Sequence, residues 1–181
     1  FKKIRGNNIS IIFQDPIAAL NPVFKIKEQF FEVNCNGGKI SKKDSFDKAC
    51  EALLKVSIRD PERVMESYPF QLSGGMAQRV VITMAMINNP DLLLADEPST
   101  ALDVTVQNQA LDLMDDLTKV TNTAVLLITH NMGVVRRFAE KVYVIYRGVI
   151  VEEGTKSQVF QNPGHPYTEA LLQSIPKLNG T

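Results

Sequence analysis

The chain has 181 residues, and 44% of them are hydrophobic, which is enough to build the core of one ordinary domain. Its 20 basic and 20 acidic residues balance, so the sequence lacks the strongly basic character by which many proteins bind nucleic acid. Cys35 and Cys50 have neither a second cysteine nor a histidine at metal-ligand spacing. The two cysteines therefore do not support a zinc or iron–sulfur site.

The predicted secondary structure alternates strands and helices over the second half of the chain. Short apolar runs predict strands, and apolar residues at helical spacing predict helices, one starting at Asp44 and another capped by Ser73. The predicted elements are strand 9–13, helix 26–33, helix 44–56, helix 76–87, strand 92–95, helix 104–120, strand 124–129, helix 131–139, a hairpin of strands 142–145 and 149–151, and a helical tail after Pro163 and Pro166. The strand–helix–strand order over residues 92–129 predicts an α/β fold with a parallel sheet.

Two adjacent carboxylates, Asp96 and Glu97, follow the apolar strand 92–95. A buried parallel strand ends at the crevice where open α/β sheets bind ligands, so both side chains are expected there. One carboxylate could hold Mg²⁺, and the other could orient an attacking water. Taken alone, the run is equally compatible with a buried strand that ends in an acidic turn.

A serine and two glycines, Ser73, Gly74 and Gly75, stand at the start of the helix over 76–87. Glycine lets an anion approach the backbone closely, and the N-terminus of a helix attracts negative charge. The arrangement predicts an anion-binding site. The alternative is an ordinary serine N-cap beside a flexible glycine pair.

Three further polar residues lie next to predicted strands or helices. Gln14 and His130 each follow a strand, so both are expected at the same sheet edge as Asp96. There the amide could coordinate a metal, and the imidazole could donate a hydrogen bond to a phosphate. Each residue, taken singly, is also compatible with an ordinary loop position. Asp103 could cap the helix that begins near residue 104.

Read in this order, the motifs resemble those of the ATP-binding subunit of ABC transporters. Gln14 is similar to the Q-loop, residues 72–76 to the signature motif, 92–97 to Walker B, 101–103 to the D-loop and His130 to the switch histidine. Five ordered motifs make this resemblance specific, and it covers essentially the whole chain.

The resemblance is closest to one branch of that family, the oligopeptide and dipeptide importers, which includes nickel importers. It rests on the residue sequences at 12–16, 21–23, 75–76 and 101–107 and on the tail 162–172, which resembles the C-terminal extension of that branch.

The fold implied by the resemblance is a P-loop NTPase of ABC type, with a partial RecA-like parallel sheet core and a helical subdomain. The implied cofactors are ATP and Mg²⁺. Asp96 and Gln14 would hold the metal, Glu97 would polarise the water that attacks the γ-phosphate, and His130 would contact that phosphate. Gln14 would also couple this site to the membrane subunits.

In the family, two such subunits stack head to tail, and the second subunit is either identical or a sister chain. Ser73, Gly74, Gly75 and Asp103 would then contact nucleotide, with the signature motif of one subunit gripping the ATP held by the other. The implied further partners are two transmembrane permease subunits and, indirectly, a solute-binding protein, with no nucleic acid. The implied location is the cytoplasmic face of the inner membrane, as a peripheral subunit.

One family motif is missing from the 181 residues: none of the ten glycines forms the Walker A loop, G-x-x-x-x-G-K-[ST]. Because the family places this loop upstream of the Q-loop, we expect an N-terminally truncated copy that hydrolyses little ATP alone. The expected regions are a core remnant at 1–14, a helical subdomain at 15–88, the core with Walker B at 89–154 and a C-terminal extension at 155–181.

Two other interpretations remain open. The chain could be a non-catalytic subunit that donates only its signature motif to an intact partner, which would fit the missing Walker A loop. It could also be an ABC ATPase of DNA repair, which would be expected to carry a long coiled-coil or zinc insertion between the Q-loop and the signature. The sequence has no such insertion between Gln14 and Ser73.

Overall fold

The computed structural model describes residues 4–36, 38–98 and 104–174, without the side chains of 104–106. The chain divides into two compact units, Phe1–Ile128 and Thr129–Thr181. No helix in the described ranges is both long enough and apolar enough to cross a membrane.

The first unit contains a parallel sheet of three strands in the order β1-β2-β3. The strands are β1 (Ile9–Ile12), β2 (Leu92–Asp96) and β3 (Ala124–Ile128). Ile12 lies opposite Ala95, and Asp96 lies opposite Ile128. The predicted parallel α/β sheet is therefore confirmed, and the carboxyl ends of all three strands meet at one edge.

One face of the sheet is buried by helices. Ile12, Leu93 and Ala95 are fully buried, and they alternate along their strands with residues on the opposite face. Helix α4 (Gly74–Met86) packs against β1 and against α5 (Val104–Thr121). This packing brings the N-terminus of α4 into the same unit as the carboxyl ends of the strands.

The other face of the sheet is apolar and largely open. Ile11, Leu126 and Ile128 expose 40%, 49% and 53% of their surface, respectively. Within the described residues, β3 pairs with another strand only on its β2 side. An open strand edge beside an apolar face is a template for association with another chain.

Replacing Leu126 with lysine is expected to weaken self-association of the chain, because the charge would lie on this open face. Sedimentation velocity at rising protein concentration would measure the effect. Val120→Lys is the control, since Val120 is 86% exposed on α5. Equal association of the wild-type chain and Leu126→Lys would contradict the role of this face.

The helices between β1 and β2 form a small core of their own. They are α1 (Ile26–Asn36), α2 (Lys42–Lys55), α3 (Pro61–Glu66), a 3₁₀ turn at Pro69–Gln71 and α4. Phe30, Leu53 and Met65 are completely buried among them. Full burial of one such side chain contributes roughly 1.5–3 kcal/mol.

The predicted start of α2 at Asp44 was wrong. The helix begins at Lys42, because the Ser41 hydroxyl serves as N-cap and accepts a hydrogen bond from the Asp44 backbone N–H at 3.1 Å. The Asp44 carboxylate in turn accepts a hydrogen bond from the Ser41 hydroxyl at 2.7 Å. A hydroxyl and a carboxylate three residues apart both suit a helix start, and the serine takes the capping position.

The second unit contains α6 (Met132–Phe138), the antiparallel hairpin of β4 (Lys141–Tyr146) and β5 (Val149–Thr155), α7 (Lys156–Gln161) and α8 (Pro166–Gln173). Arg147 and Gly148 form the turn with φ values of 50° and 80°. Positive φ at both central residues matches the twist of a two-residue hairpin turn. The predicted hairpin is confirmed.

A single carboxylate connects this hairpin to the C-terminal tail. Glu152 accepts hydrogen bonds from the backbone N–H groups of Gly164, at 2.7 Å, and His165, at 3.1 Å. The Gly164 N–H lowers the pKa of Glu152 because it stabilises the charged carboxylate. The tail at 162–168 is thus fixed to β5 by a charge-assisted contact.

Candidate functional site

The acidic pair lies at the carboxyl end of β2. Asp96 is the last residue of the strand and is exposed, whereas Glu97 is half-buried. The Glu97 backbone N–H donates to the Ile128 carbonyl at 2.9 Å, so the ladder with β3 continues one residue beyond Asp96. The two carboxylates therefore stand at the end of the central strand, as the sequence predicts.

The backbone at Glu97 is left-handed, with φ of 46°. A non-glycine residue held in this conformation costs on the order of 1 kcal/mol or more, and it persists only where the surroundings enforce it. Here the Ile128 carbonyl fixes the N–H of Glu97, and the next residue, Pro98, is buried.

The predicted serine cap is confirmed at the start of α4. The Ser73 hydroxyl accepts a hydrogen bond from the Met76 backbone N–H at 3.3 Å, and the Ala77 N–H donates to the Ser73 carbonyl at 2.9 Å. The N–H groups of Gly74 and Gly75 precede this first intrahelical bond, so they are directed outward from the helix start. The arrangement has the chemistry of an anion site, and its ligand stays a prediction.

Gln78 connects this helix to the turn after the acidic pair. Its side chain is 1% exposed, and its Nε2 donates a hydrogen bond to the Pro98 carbonyl. Its Oε1 has no hydrogen-bond partner in the described part of the chain. The first turn of α4 and the turn that contains Glu97 are thus fixed to each other through one buried amide.

The sequence interpretation missed this role of Gln78. The available signal was the only amide side chain in a largely apolar helix, about one turn beyond the glycine pair. A polar residue at a buried helical position needs a hydrogen-bond partner. However, the partner is 20 residues away in sequence, and no local pattern identifies it.

Gln14 lies just beyond β1, at the same sheet edge as Asp96. The side chain is exposed. The Asp15 carboxylate accepts hydrogen bonds from the N–H groups of Ile17, at 2.9 Å, and Ala18, at 3.0 Å. These bonds fix the loop that begins at Gln14. The structure thus brings Gln14, Asp96 and Glu97 to one edge of the first unit.

His130 belongs to the second unit, where it is exposed directly before α6. The following residue, Asn131, is the N-cap of that helix and accepts a hydrogen bond from the Gly133 N–H at 2.9 Å. The position of His130 relative to the acidic pair stays a prediction. Asp103 lies outside the described residues, so both interpretations of it stay open.

The chemistry of the acidic pair fits Mg²⁺. This ion prefers carboxylate oxygens, keeps several waters, and is held in nucleotide sites by one or two carboxylates plus the phosphates. Asp96 and Glu97 offer such oxygens at an open sheet edge. Within the described ranges, no three His, Cys, Asp or Glu side chains lie together in a group able to hold a metal ion.

Two regions of the sequence match known protein families. Residues 2–100 match the ABC transporter family. The chain belongs to the ABC transporter family. Residues 151–181 also match the C-terminal region of oligopeptide/dipeptide transporters, so the resemblance inferred from the ordered motifs is confirmed for both regions.

The curated relatives that match this chain include oligopeptide transport ATP-binding proteins. The oligopeptide transport ATP-binding protein AppD of Bacillus subtilis is 51% identical over 98% of this chain and 54% of its own length. A second oligopeptide transport ATP-binding protein of Bacillus subtilis, OppD, is 49% identical over 99% of this chain and 50% of its own length. The chain thus spans about half the length of the curated relatives it matches.

Solved ABC cassettes share the fold. The dimeric bacterial ABC transporter cassette MJ0796 matches with a TM-score of 0.72 and 31% identity, over 85% of this chain and 65% of that chain. A dimeric post-hydrolysis state of the same cassette, bound to ADP and Pi, matches with a TM-score of 0.70 and 30% identity over the same shares. The predicted ABC-type α/β fold is confirmed.

Proposed function

We propose that this chain supplies the catalytic carboxylates and the signature motif of an ATP-binding, ATP-hydrolysing subunit that energises peptide import. The observation that carries the proposal is the Asp96–Glu97 pair at the carboxyl end of β2. Gln78 fixes the turn after this pair to the helix that Ser73 begins. The oligopeptide and dipeptide transport names of the relatives support peptides as the cargo.

The three residues at the sheet edge, and His130 of the second unit, have separate tasks in this proposal. Asp96, with Gln14, would hold Mg²⁺, and Glu97 would polarise and orient the attacking water. When bound, the metal would neutralise charge on the phosphates. Glu97 suits its task because its own N–H and the carbonyl of the next residue, Pro98, are both hydrogen-bonded, so the backbone that carries its carboxylate is fixed before substrate arrives. His130 would donate a hydrogen bond to the terminal phosphate.

The signature motif would act on the nucleotide of a second subunit. The N–H groups of Gly74 and Gly75 and the Ser73 hydroxyl lie at the N-terminus of a 13-residue helix, where negative charge is favoured. The dimeric state of the similar cassettes supports a pair of subunits, and the head-to-tail arrangement is the one that the family resemblance implies. Asp103 would contact nucleotide at the same dimer interface.

The proposed setting is a transporter with two permease subunits at the cytoplasmic face of the membrane and, outside, a solute-binding protein. The match of the C-terminal residues to oligopeptide/dipeptide transporters supports this setting. The alternative, a subunit that only donates its signature motif, predicts that the chain would stimulate the ATPase of an intact partner when the two are mixed.

The test is a chimaera in which the matched region of AppD is replaced by this chain, expressed in Bacillus subtilis lacking AppD. We expect restored uptake of labelled oligopeptides, because the permeases and the binding protein of that system select the cargo. A chimaera carrying Glu97→Gln is the control and should restore none. A chimaera that hydrolyses ATP in purified form but restores no peptide uptake would contradict the peptide-import proposal.

A further inference from the structure

A cavity of about 500 Å³ lies in the helical part of the first unit, beside the signature helix. Its walls come from the loop before α3, from α3 itself, from the segment that leads into α4 and from α4. Ser73, Gly74 and Gly75 do not line it. The cavity is therefore separate from the residues proposed to grip nucleotide.

The charge on its walls is unbalanced. Arg59, Arg63 and Arg79 line the cavity, and Asp60 is the only acidic side chain among the lining residues. The Asp60 carboxylate accepts a hydrogen bond from the Arg63 backbone N–H at 3.2 Å, so it serves as the N-cap of α3. In the described part of the chain, none of the three arginines forms an ion pair within 4.0 Å.

One of these arginines is held rigidly. The half-buried Arg79 donates from Nη1 to the Val56 carbonyl at 2.6 Å and from Nη2 to Gln109 Oε1 at 3.3 Å. Both partners are neutral, so they fix the guanidinium without cancelling its charge. Interactions of such a charge with an anion are stronger than in water because the surroundings are partly desolvated.

The floor of the cavity is apolar. Ile58, Val64 and Leu72 line it and are each buried. A fixed guanidinium, two exposed arginines and an apolar floor form a site for a small molecule with a charged end. A volume of this size lies in the range of about 300–1,000 Å³ that is typical of small-molecule sites.

We propose that this cavity binds a small, multiply charged oxyanion through Arg59, Arg63 and Arg79. The planar fork of a guanidinium pairs with two oxygens of a phosphate or a carboxylate at once, and such charge-assisted bonds are the strong ones. Phosphorylated and polycarboxylate metabolites share this chemistry. The site is independent of the proposed ATP site and would remain if that function were wrong.

The experiment is isothermal titration of the full chain with inorganic pyrophosphate and, separately, with citrate, both without divalent metal. The test variant is Arg59→Gln/Arg63→Gln, chosen because both side chains are exposed and neither donates a side-chain hydrogen bond in the described structure. Arg79 stays in place, since its loss would also break its bond to Val56. The control, Lys43→Gln/Lys55→Gln, removes the same charge from exposed positions on α2 that do not line the cavity.

We expect the wild-type chain and the control to bind at least one probe with a Kd of about 1 mM or tighter. The arginine variant should bind at least about tenfold more weakly, with an unchanged unfolding temperature. Binding of pyrophosphate alone would assign the site to phosphorylated ligands, and binding of citrate alone would assign it to polycarboxylates. Absence of binding to both probes, or equal affinity in the arginine variant or equal weakening in the control, would overturn the proposal.

Discussion

Glu97→Gln, placed in a chain that also carries a phosphate-binding loop, is expected to keep ATP binding and to slow hydrolysis by about 10²–10⁴-fold. Glutamine has the shape of glutamate but cannot accept the proton of the attacking water. The backbone bond from Glu97 N–H to the Ile128 carbonyl does not involve the side chain, so the turn should survive the change. The AppD chimaera described above provides such a chain.

Two measurements separate binding from chemistry in this variant. Equilibrium binding of a fluorescent ATP analogue should be unchanged, and release of phosphate should fall. Glu153→Gln is the control, because Glu153 is an exposed glutamate on β5 in the second unit. An unchanged rate of phosphate release in Glu97→Gln would remove Glu97 from its role with the water.

Gln78→Leu is expected to lower both stability and hydrolysis. Leucine is close to glutamine in size but leaves the Pro98 carbonyl without its hydrogen bond from Nε2. The Pro98 carbonyl, left unsatisfied, costs about 1–3 kcal/mol, and removal of the unpartnered Oε1 of Gln78 offsets part of this cost. For a chain of 181 residues, each kcal/mol lowers the unfolding midpoint by about 2–4 °C.

In the AppD chimaera that carries Gln78→Leu, the rate of ATP hydrolysis should fall by a larger factor than the folded fraction does. The reason is that the turn containing Glu97 loses its hydrogen bond to α4. Thermal unfolding gives the first effect, and phosphate release well below the unfolding midpoint gives the second. The control is Gln161→Leu at an exposed position on α7. If Gln78→Leu had the same unfolding midpoint and the same rate of phosphate release as this control, the hydrogen bond from Gln78 to Pro98 would contribute neither to stability nor to hydrolysis.

Most of the local structure of the site could be predicted from the sequence. The apolar run that ends in Asp96 predicted a buried parallel strand, and the structure has the strand, with Leu93 and Ala95 buried on one face. Ser73 was identified as a helix cap, and Arg147-Gly148 as a hairpin turn, since both depend on neighbours within a few residues. Each of these features was confirmed.

The features that escaped prediction depend on contacts between residues that are far apart in the chain. Gln78 finds the Pro98 carbonyl only after α4 has packed against the sheet. Arg79 joins Arg59 and Arg63 around one cavity because α4 crosses the end of α2, where Val56 accepts its hydrogen bond. The start of α2 was missed for a different reason, since Ser41 and Asp44 are both good caps and local sequence does not rank them.

We infer that this chain carries the carboxylates and the signature motif of an ABC ATPase but, within its 181 residues, no phosphate-binding loop. The most direct test is ATP turnover by the purified chain, compared under the same conditions with the AppD chimaera. We expect turnover far below about 1 per second for the chain alone, and turnover near or above that rate, which is typical of enzymes, for the chimaera. Turnover of about 1 per second or faster by the chain alone would contradict it.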